Sequence, residues 1–245
     1  MQHYGLIGYP LGHSFSKRFF TDKFENEQIN AIYESYPIDN IKKIMKLIAS
    51  VELSGLNVTI PYKEQVIPFL DELDNDAAEI GAVNVIKFIR SNNTLTLKGF
   101  NTDAIGFENT IRPLLKPHHS KALILGTGGA SKAIKFVLQK LGLDTVYVSR
   151  TPTVGQLTYG ELNEMILSDF TVIVNASPVG TFPNVDTCPA IPYQFLTDKH
   201  MLYDVVYNPA ETLFLKKGRE QGAVGLNGEQ MLIEQALAAW EIWNK

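Results

Sequence analysis

The chain has 245 residues, 45% apolar and 20% charged, with a formal net charge of −4. That length suits one large domain or two small ones with real cores, and the lack of a basic tract argues against nucleic acid as a partner. A single cysteine, Cys188, excludes an internal disulfide and suits a reducing compartment. No apolar run is long enough to span a bilayer, and Met1–Gly5 moves straight into a strand pattern rather than a charged and apolar leader. We therefore expect a cytoplasmic protein with no membrane partner.

Tyr4–Gly8 reads as a short buried strand ending in glycine, followed by a turn and a helix with Phe19, Phe20 and Phe24 on one face. Ser14 and Ser16 stand at that helix entry. Either can be an N-cap, and two hydroxyls beside a helix N-terminus also make a carboxylate site. His13 receives no role. Ile32–Ile38 alternates as a strand, and Ile41, Ile44, Met45 and Ile48 outline an amphipathic helix.

Asn57-Val58-Thr59-Ile60-Pro61-Tyr62-Lys63-Glu64 reads as a strand end turning into a helix, with Thr59 as cap and Pro61 in the first turn. Lys63 then sits near a strand's C-terminal edge, where open α/β sheets bind ligands; otherwise it is a solvated surface lysine. A short helix is expected over 73–80. Gly81–Ile86 runs into Lys87–Arg90, and Thr94–Gly99 is expected to pair back across a hairpin turn at Asn92-Asn93. Asn84 is either exposed or aimed at a ligand. Asn101-Thr102-Asp103 opens another helix, where Asp103 could simply favour the helix start.

After a boundary at 117–120 comes Lys121–Leu125, a buried strand, then Gly126-Thr127-Gly128-Gly129-Ala130-Ser131 and a helix to Leu141. Glycines there let backbone approach a pyrophosphate, and the helix start offers N–H donors. Serine in the sixth position makes the fingerprint imperfect. The next strand ends in Ser149-Arg150-Thr151, where an NAD site would place an acid. Arginine instead pairs with a 2′-phosphate, unless it is merely exposed, so NADP is favoured. Further strand–helix alternation to residue 226 argues a parallel, doubly wound sheet.

Taken together, Ser14-Phe15-Ser16, Asn57–Lys63, Gly81-Ala82-Val83-Asn84, Asn101-Thr102-Asp103, Gly126–Ser131, Ser149-Arg150-Thr151, Asn175-Ala176-Ser177-Pro178, Asp204–Tyr207 with Pro209, and Met231–Gln235 resemble the shikimate dehydrogenase family over nearly the whole chain. The resemblance implies an α/β fold: an N-terminal α/β substrate domain plus a doubly wound Rossmann-type dinucleotide domain, with a cleft between them. Residues 1–101 would form the first domain, with helix 229–245 packing back on it, and 102–228 the second. It implies reversible NADPH-dependent reduction of 3-dehydroshikimate to shikimate, on the route to aromatic amino acids, with no metal.

Lys63 and Asp103 would be catalytic. Ser14 and Ser16 would hold the substrate carboxylate; Thr59, Asn84 and Gln235 would bond ring hydroxyls, with Tyr207 lining the cleft. Gly126, Gly128, Gly129, Ala130 and Ser131 would cradle the diphosphate, with Ser149, Arg150 and Thr151 at the 2′-phosphate. The chain would work as a monomer or homodimer on a small-molecule substrate. It departs from the family pattern at Ala104, at Val154, where a second basic residue is usual, and at Pro152 and Gly155, which break the usual helix. Competing readings are a quinate or NAD-linked enzyme, a non-catalytic binding relative, and a folate-linked dehydrogenase.

Overall fold

A computed structural model describes residues 1–245 except His13 and Asn93. The chain divides into two compact units: Met1–Ile105 with Gln235–Lys245, and Gly106–Glu234.

The first unit carries β1 (Gln2–Gly8), α1 (Phe15–Asn26), β2 (Ala31–Pro37), α2 (Ile44–Ser50), β3 (Leu53–Val58), β4 (Glu72–Leu73), α3 (Asn75–Ile80), β5 (Val85–Ser91), β6 (Thr94–Phe100) and the start of α4 (Thr102–Ile111). Its sheet has the order β2-β1-β3-β5-β6-β4. β2, β1 and β3 are parallel, β5 runs antiparallel to both β3 and β6, and β4 is parallel to β6. Successive side chains of a strand face opposite sides. Tyr4 and Leu6 of β1 therefore join Phe20, Phe24 and Trp243 on one face, while Ile7 joins Ile44, Leu56 and Val66 on the other.

The second unit continues with β7 (Lys121–Leu125), α5 (Gly129–Lys140), β8 (Asp144–Val148), α6 (Glu164–Asp169), β9 (Val172–Asn175), β10 (Met201–Asp204), α7 (Leu213–Glu220), β11 (Val224–Leu226) and the start of α8 (Glu229–Asn244). All its strands are parallel, in the order β11-β10-β9-β7-β8. The strand order reverses between β7 and β9, which is where such sheets bind ligands at their C-terminal edge. The chain passes between the units inside helices, within α4 and within α8.

The remainder of α8 belongs to the first unit. Trp243 Nε1 donates to the Ile86 carbonyl at 3.1 Å, and its ring lies directly over Gly55, where a Cβ would collide with the indole.

Three local expectations need correction. The helix through Lys63 does not form: after β3 the chain makes one turn, with Val66 N donating to Tyr62 O at 2.9 Å, then a 3-10 turn over Ile67–Phe69. Pro61 and Pro68 leave six residues between them, and Pro68 has no N–H to extend a helix past Glu64. The helix expected from Leu73 starts at Asn75, because Asp74 caps it and Glu72–Leu73 pair with β6 instead. Met45 is half exposed, not on the buried stripe of its helix.

Candidate active site

Lys63 leaves the turn after β3, and Asp103 lies in the first turn of α4. Asn101 starts that helix, its Oδ1 accepting from Ala104 N at 3.2 Å. The Lys63 ammonium donates to Asp103 Oδ2, and both side chains are largely buried, at 15% and 10% exposure. Strand ends therefore supply the lysine and a helix start supplies the carboxylate.

Asn84 fixes this pair. Its amide nitrogen donates to Asp103 Oδ1 at 2.9 Å and to Thr102 Oγ1 at 3.0 Å, and its Oδ1 accepts from Thr102 N at 2.7 Å. The β5–β6 register sets this meeting, since Val85 pairs with Phe100 and Asn84 N donates to the Phe100 carbonyl. Asn84 is buried, so it is not the exposed polar residue that one reading allowed.

Behind the pair lies a connection that the sequence did not reveal. The Tyr33 hydroxyl donates to Asn57 Oδ1 at 2.7 Å, and Asn57 Nδ2 donates to the Asn84 carbonyl at 3.4 Å. The phenol is buried, with its ring stacked on Phe20 at 4.8 Å. Burial pushes the Tyr33 pKa far up, and the Ser16 hydroxyl acts against that rise. A tyrosine at an inward position of an alternating strand was the available signal, because a buried phenol needs a partner.

Ser14 is the N-cap of α1, accepting from Lys17 N at 3.3 Å, and Ser16 follows within the first turn. Thr59 N donates to the Ile7 carbonyl at 2.9 Å, which holds Thr59 beside the end of β1. Gln235 is buried on α8 in the first unit. Tyr207 is exposed and belongs to the second unit.

In the second unit, Gly126 follows β7 with φ of +108°, a conformation closed to ordinary side chains. Gly128 is the N-cap of α5, and a Cβ there would meet open space. That opening, with the backbone donors of the first turn of α5, fits a diphosphate. Ser131 is buried, and its Oγ donates to the Gly128 carbonyl at 2.6 Å, so its hydroxyl braces the turn. Ser149 Oγ accepts from Thr151 N at 3.2 Å, shaping the turn that carries Arg150. Arg150 is exposed and its charge reaches Tyr159, whose pKa is raised chiefly by burial. Val154 is fully exposed.

A cavity of about 200 Å³ opens at the opposite, N-terminal edge of this sheet, lined by Leu114, Lys116, His119, His200, Met201 and Val224. Its imidazoles are committed. His119 Nδ1 accepts from Lys116 N at 3.0 Å, His200 Nδ1 accepts from Thr197 N at 3.0 Å, and each Nε2 faces a backbone carbonyl. Among the described residues no group of three or more His, Cys, Asp or Glu is placed to hold a metal, and no helix is long and apolar enough to cross a membrane.

A parallel sheet with a glycine turn at its switch point, joined in one chain to a unit bearing a clamped Lys–Asp pair, defines the class: a dinucleotide-dependent dehydrogenase. Residues 6–86 match the family model described as the shikimate dehydrogenase substrate binding domain. Shikimate dehydrogenase (NADP+) of Desulforamulus reducens is 34% identical over 263 aligned positions, covering 98% of this chain and 88% of the relative. A crystal structure of shikimate dehydrogenase in complex with NADP+ is similar at a TM-score of 0.87 and 30% identity, covering 99% of this chain and 89% of that one. Quinate dehydrogenase of Corynebacterium glutamicum in complex with NAD also gives 0.87, at 26% identity, covering 99% of this chain and 93% of that one. The chain belongs to the shikimate dehydrogenase family.

Proposed function

We propose that this protein is an NADP-dependent oxidoreductase that interconverts 3-dehydroshikimate and shikimate in aromatic amino acid biosynthesis. The observation that carries the reading is the Lys63–Asp103 pair clamped by Asn84, in a chain of this family. The glycine turn and the start of α5 would hold NADPH, which would supply the hydride for the carbonyl carbon. Lys63 Nζ gives the developing alkoxide oxygen a proton, and Asp103 Oδ2 shares the charge of the lysine and orients it. In the reverse direction the same nitrogen receives the hydroxyl proton.

Ser14 and Ser16 hold the substrate carboxylate, and Thr59, Asn84, Gln235 and Tyr207 bond or line the ring. These neutral groups suit a small polyhydroxylated acid. Gly126, Gly128, Gly129 and Ala130 take the diphosphate, and Ser131, expected among them, braces their turn instead, with its N and Oγ both donating to the Gly128 carbonyl. Ser149, Arg150 and Thr151 take the 2′-phosphate, with Arg150 supplying the charge. We place the enzyme in the cytoplasm, as a monomer or homodimer.

A second reading, an enzyme that uses NAD and accepts quinate, has its cofactor half favoured by one observation: Val154 stands exposed where a second cation would strengthen NADP selectivity. Initial rates crossing shikimate and quinate with NADP+ and NAD+ separate the two. Turnover confined to shikimate with NADP+ is the expected result; faster turnover of quinate with NAD+ would replace it.

A further inference from the structure

Asn175 and Asp204 take no part in the chemistry above, yet the turns that follow them are built around that one carboxylate. Asp204 ends β10, fully buried, and pairs with Asn175 at the end of β9. Its Oδ1 accepts from Asn175 Nδ2 at 2.9 Å and from Val206 N at 3.0 Å, and its Oδ2 accepts from Thr212 Oγ1 at 2.6 Å. Asn175 is also fully buried, and its Oδ1 accepts from Ser177 N at 3.1 Å and Ser177 Oγ at 2.6 Å. Its Nδ2 also reaches the Val179 carbonyl at 3.2 Å. The turn 175–179 is thus folded around one amide, and that amide is held by one carboxylate.

This turn is the wall of the glycine turn. A Cβ placed on Gly126 would lie 3.2 Å from Ser177 Cβ and 3.4 Å from the Ala176 carbonyl oxygen. The two turns are also joined directly, since Ala176 N donates to the Leu125 carbonyl at 3.0 Å, so a displacement at Ala176 is carried to the backbone that enters Gly126. A buried carboxylate with only neutral partners is a costly way to brace a turn, which sets it apart from ordinary packing.

We propose that Asp204 is a positioning residue for cofactor binding: through Asn175 it sets the turn that backs Gly126, and through Val206 it sets the backbone leading to Tyr207. The inference rests on the NADP-dependent reading above. Burial raises the Asp204 pKa to about 6, with Thr212, Val206 and Asn175 working against the rise. Those three partners carry no charge. Tyr193 is the titratable group that feels Asp204, and its burial keeps it protonated well beyond the usual tyrosine range. When Asp204 takes up a proton, one of its oxygens becomes a donor among three donors, Thr212 must turn, and the hold on Asn175 weakens.

The test is calorimetric titration of NADP+ into the wild-type protein and Asp204→Asn from about pH 5 to about pH 8, with thermal midpoints and both Michaelis constants measured in parallel. Asp204→Asn mimics the neutral acid. Its Kd for NADP+ is expected about tenfold above wild type at the upper end, equivalent to roughly one charge-assisted hydrogen bond, with the gap closing below about pH 6. The 2′-phosphate itself titrates near there, so the inflection is read as the difference between the two proteins. Thr212→Val removes a donor to the ionised form and should move the wild-type inflection to higher pH; it serves if Asp204→Asn fails to fold. Equal Kd values within about twofold at every pH, or a lowered thermal midpoint with unchanged Kd, would overturn the inference alone. Failure of the wild-type protein to bind NADP+ would overturn the reading and the inference together.

Discussion

Lys63 and Asp103 form a largely buried ion pair, so each residue of the pair should be tested for rate rather than for binding. Lys63→Ala is expected to lower kcat by about 10²- to 10⁴-fold while the Kd for shikimate changes little. Single-turnover rates with substrate titration check this, and a near-normal rate would remove Lys63 from the chemistry. Tyr33→Phe keeps the ring on Phe20 but strands Asn57 Oδ1 in the interior. A loss of about 1–3 kcal/mol in urea unfolding is expected, since a buried acceptor loses its partner. At this scale the pairing of Lys63 with Asp103 was legible through the family resemblance, and the groups that hold the pair were not. Asn84 was read as a ligand-facing or exposed amide. Its hold on Asp103 depends on the β5–β6 register bringing 84 opposite 101–103, which no local pattern encodes.

Among the elements, the glycine turn at the switch point carries the sharpest constraint. Gly126 combines φ of +108° with a setting in which an added Cβ would crowd Ser177 and Ala176. Gly126→Ala should raise the KM for NADP+ by at least about tenfold and cost about 1–3 kcal/mol, while the KM for shikimate moves less. Parallel titration of the two substrates checks the asymmetry. Strand, glycine and helix in succession made this element readable in advance, because the period of the apolar residues and the turn chemistry agree. The segment after β3 misled for a definable reason. Pro61 looked like a helix start, but Pro68 seven residues on leaves room for barely two turns, and burial of Tyr62 and Val66 decides the path instead.

For the whole molecule, the buried acid gives stability a definite pH slope. The Asp204 pKa stands near 6 in the folded protein against the ordinary aspartate value of 3.8, so the native state binds the extra proton between them. Its contribution is fully present below about pH 4 and is lost as pH rises through about 6, a total of about 3 kcal/mol. Glu108 works the other way. Burial would raise its pKa, but Arg112 and Lys140 outweigh that and lower it, so its contribution is lost on acidification. The two act in different windows. Urea unfolding of wild type and Asp204→Asn at about pH 4.5 and about pH 7 should show the slope between those points flattened in the variant.

The last helix carries a consequence for the order in which the protein is made. Tyr4, Phe20 and Phe24 share their core with Ala236, Ala239 and Trp243. The strands of the first unit emerge from the ribosome with that face bare, and more than a hundred residues are added before its cover is translated. The second unit is contiguous in sequence, Gly106–Glu234, so nothing comparable delays it. The unit whose strands are translated before the other is therefore completed after it, and until then an aromatic face of the kind that promotes aggregation stays uncovered.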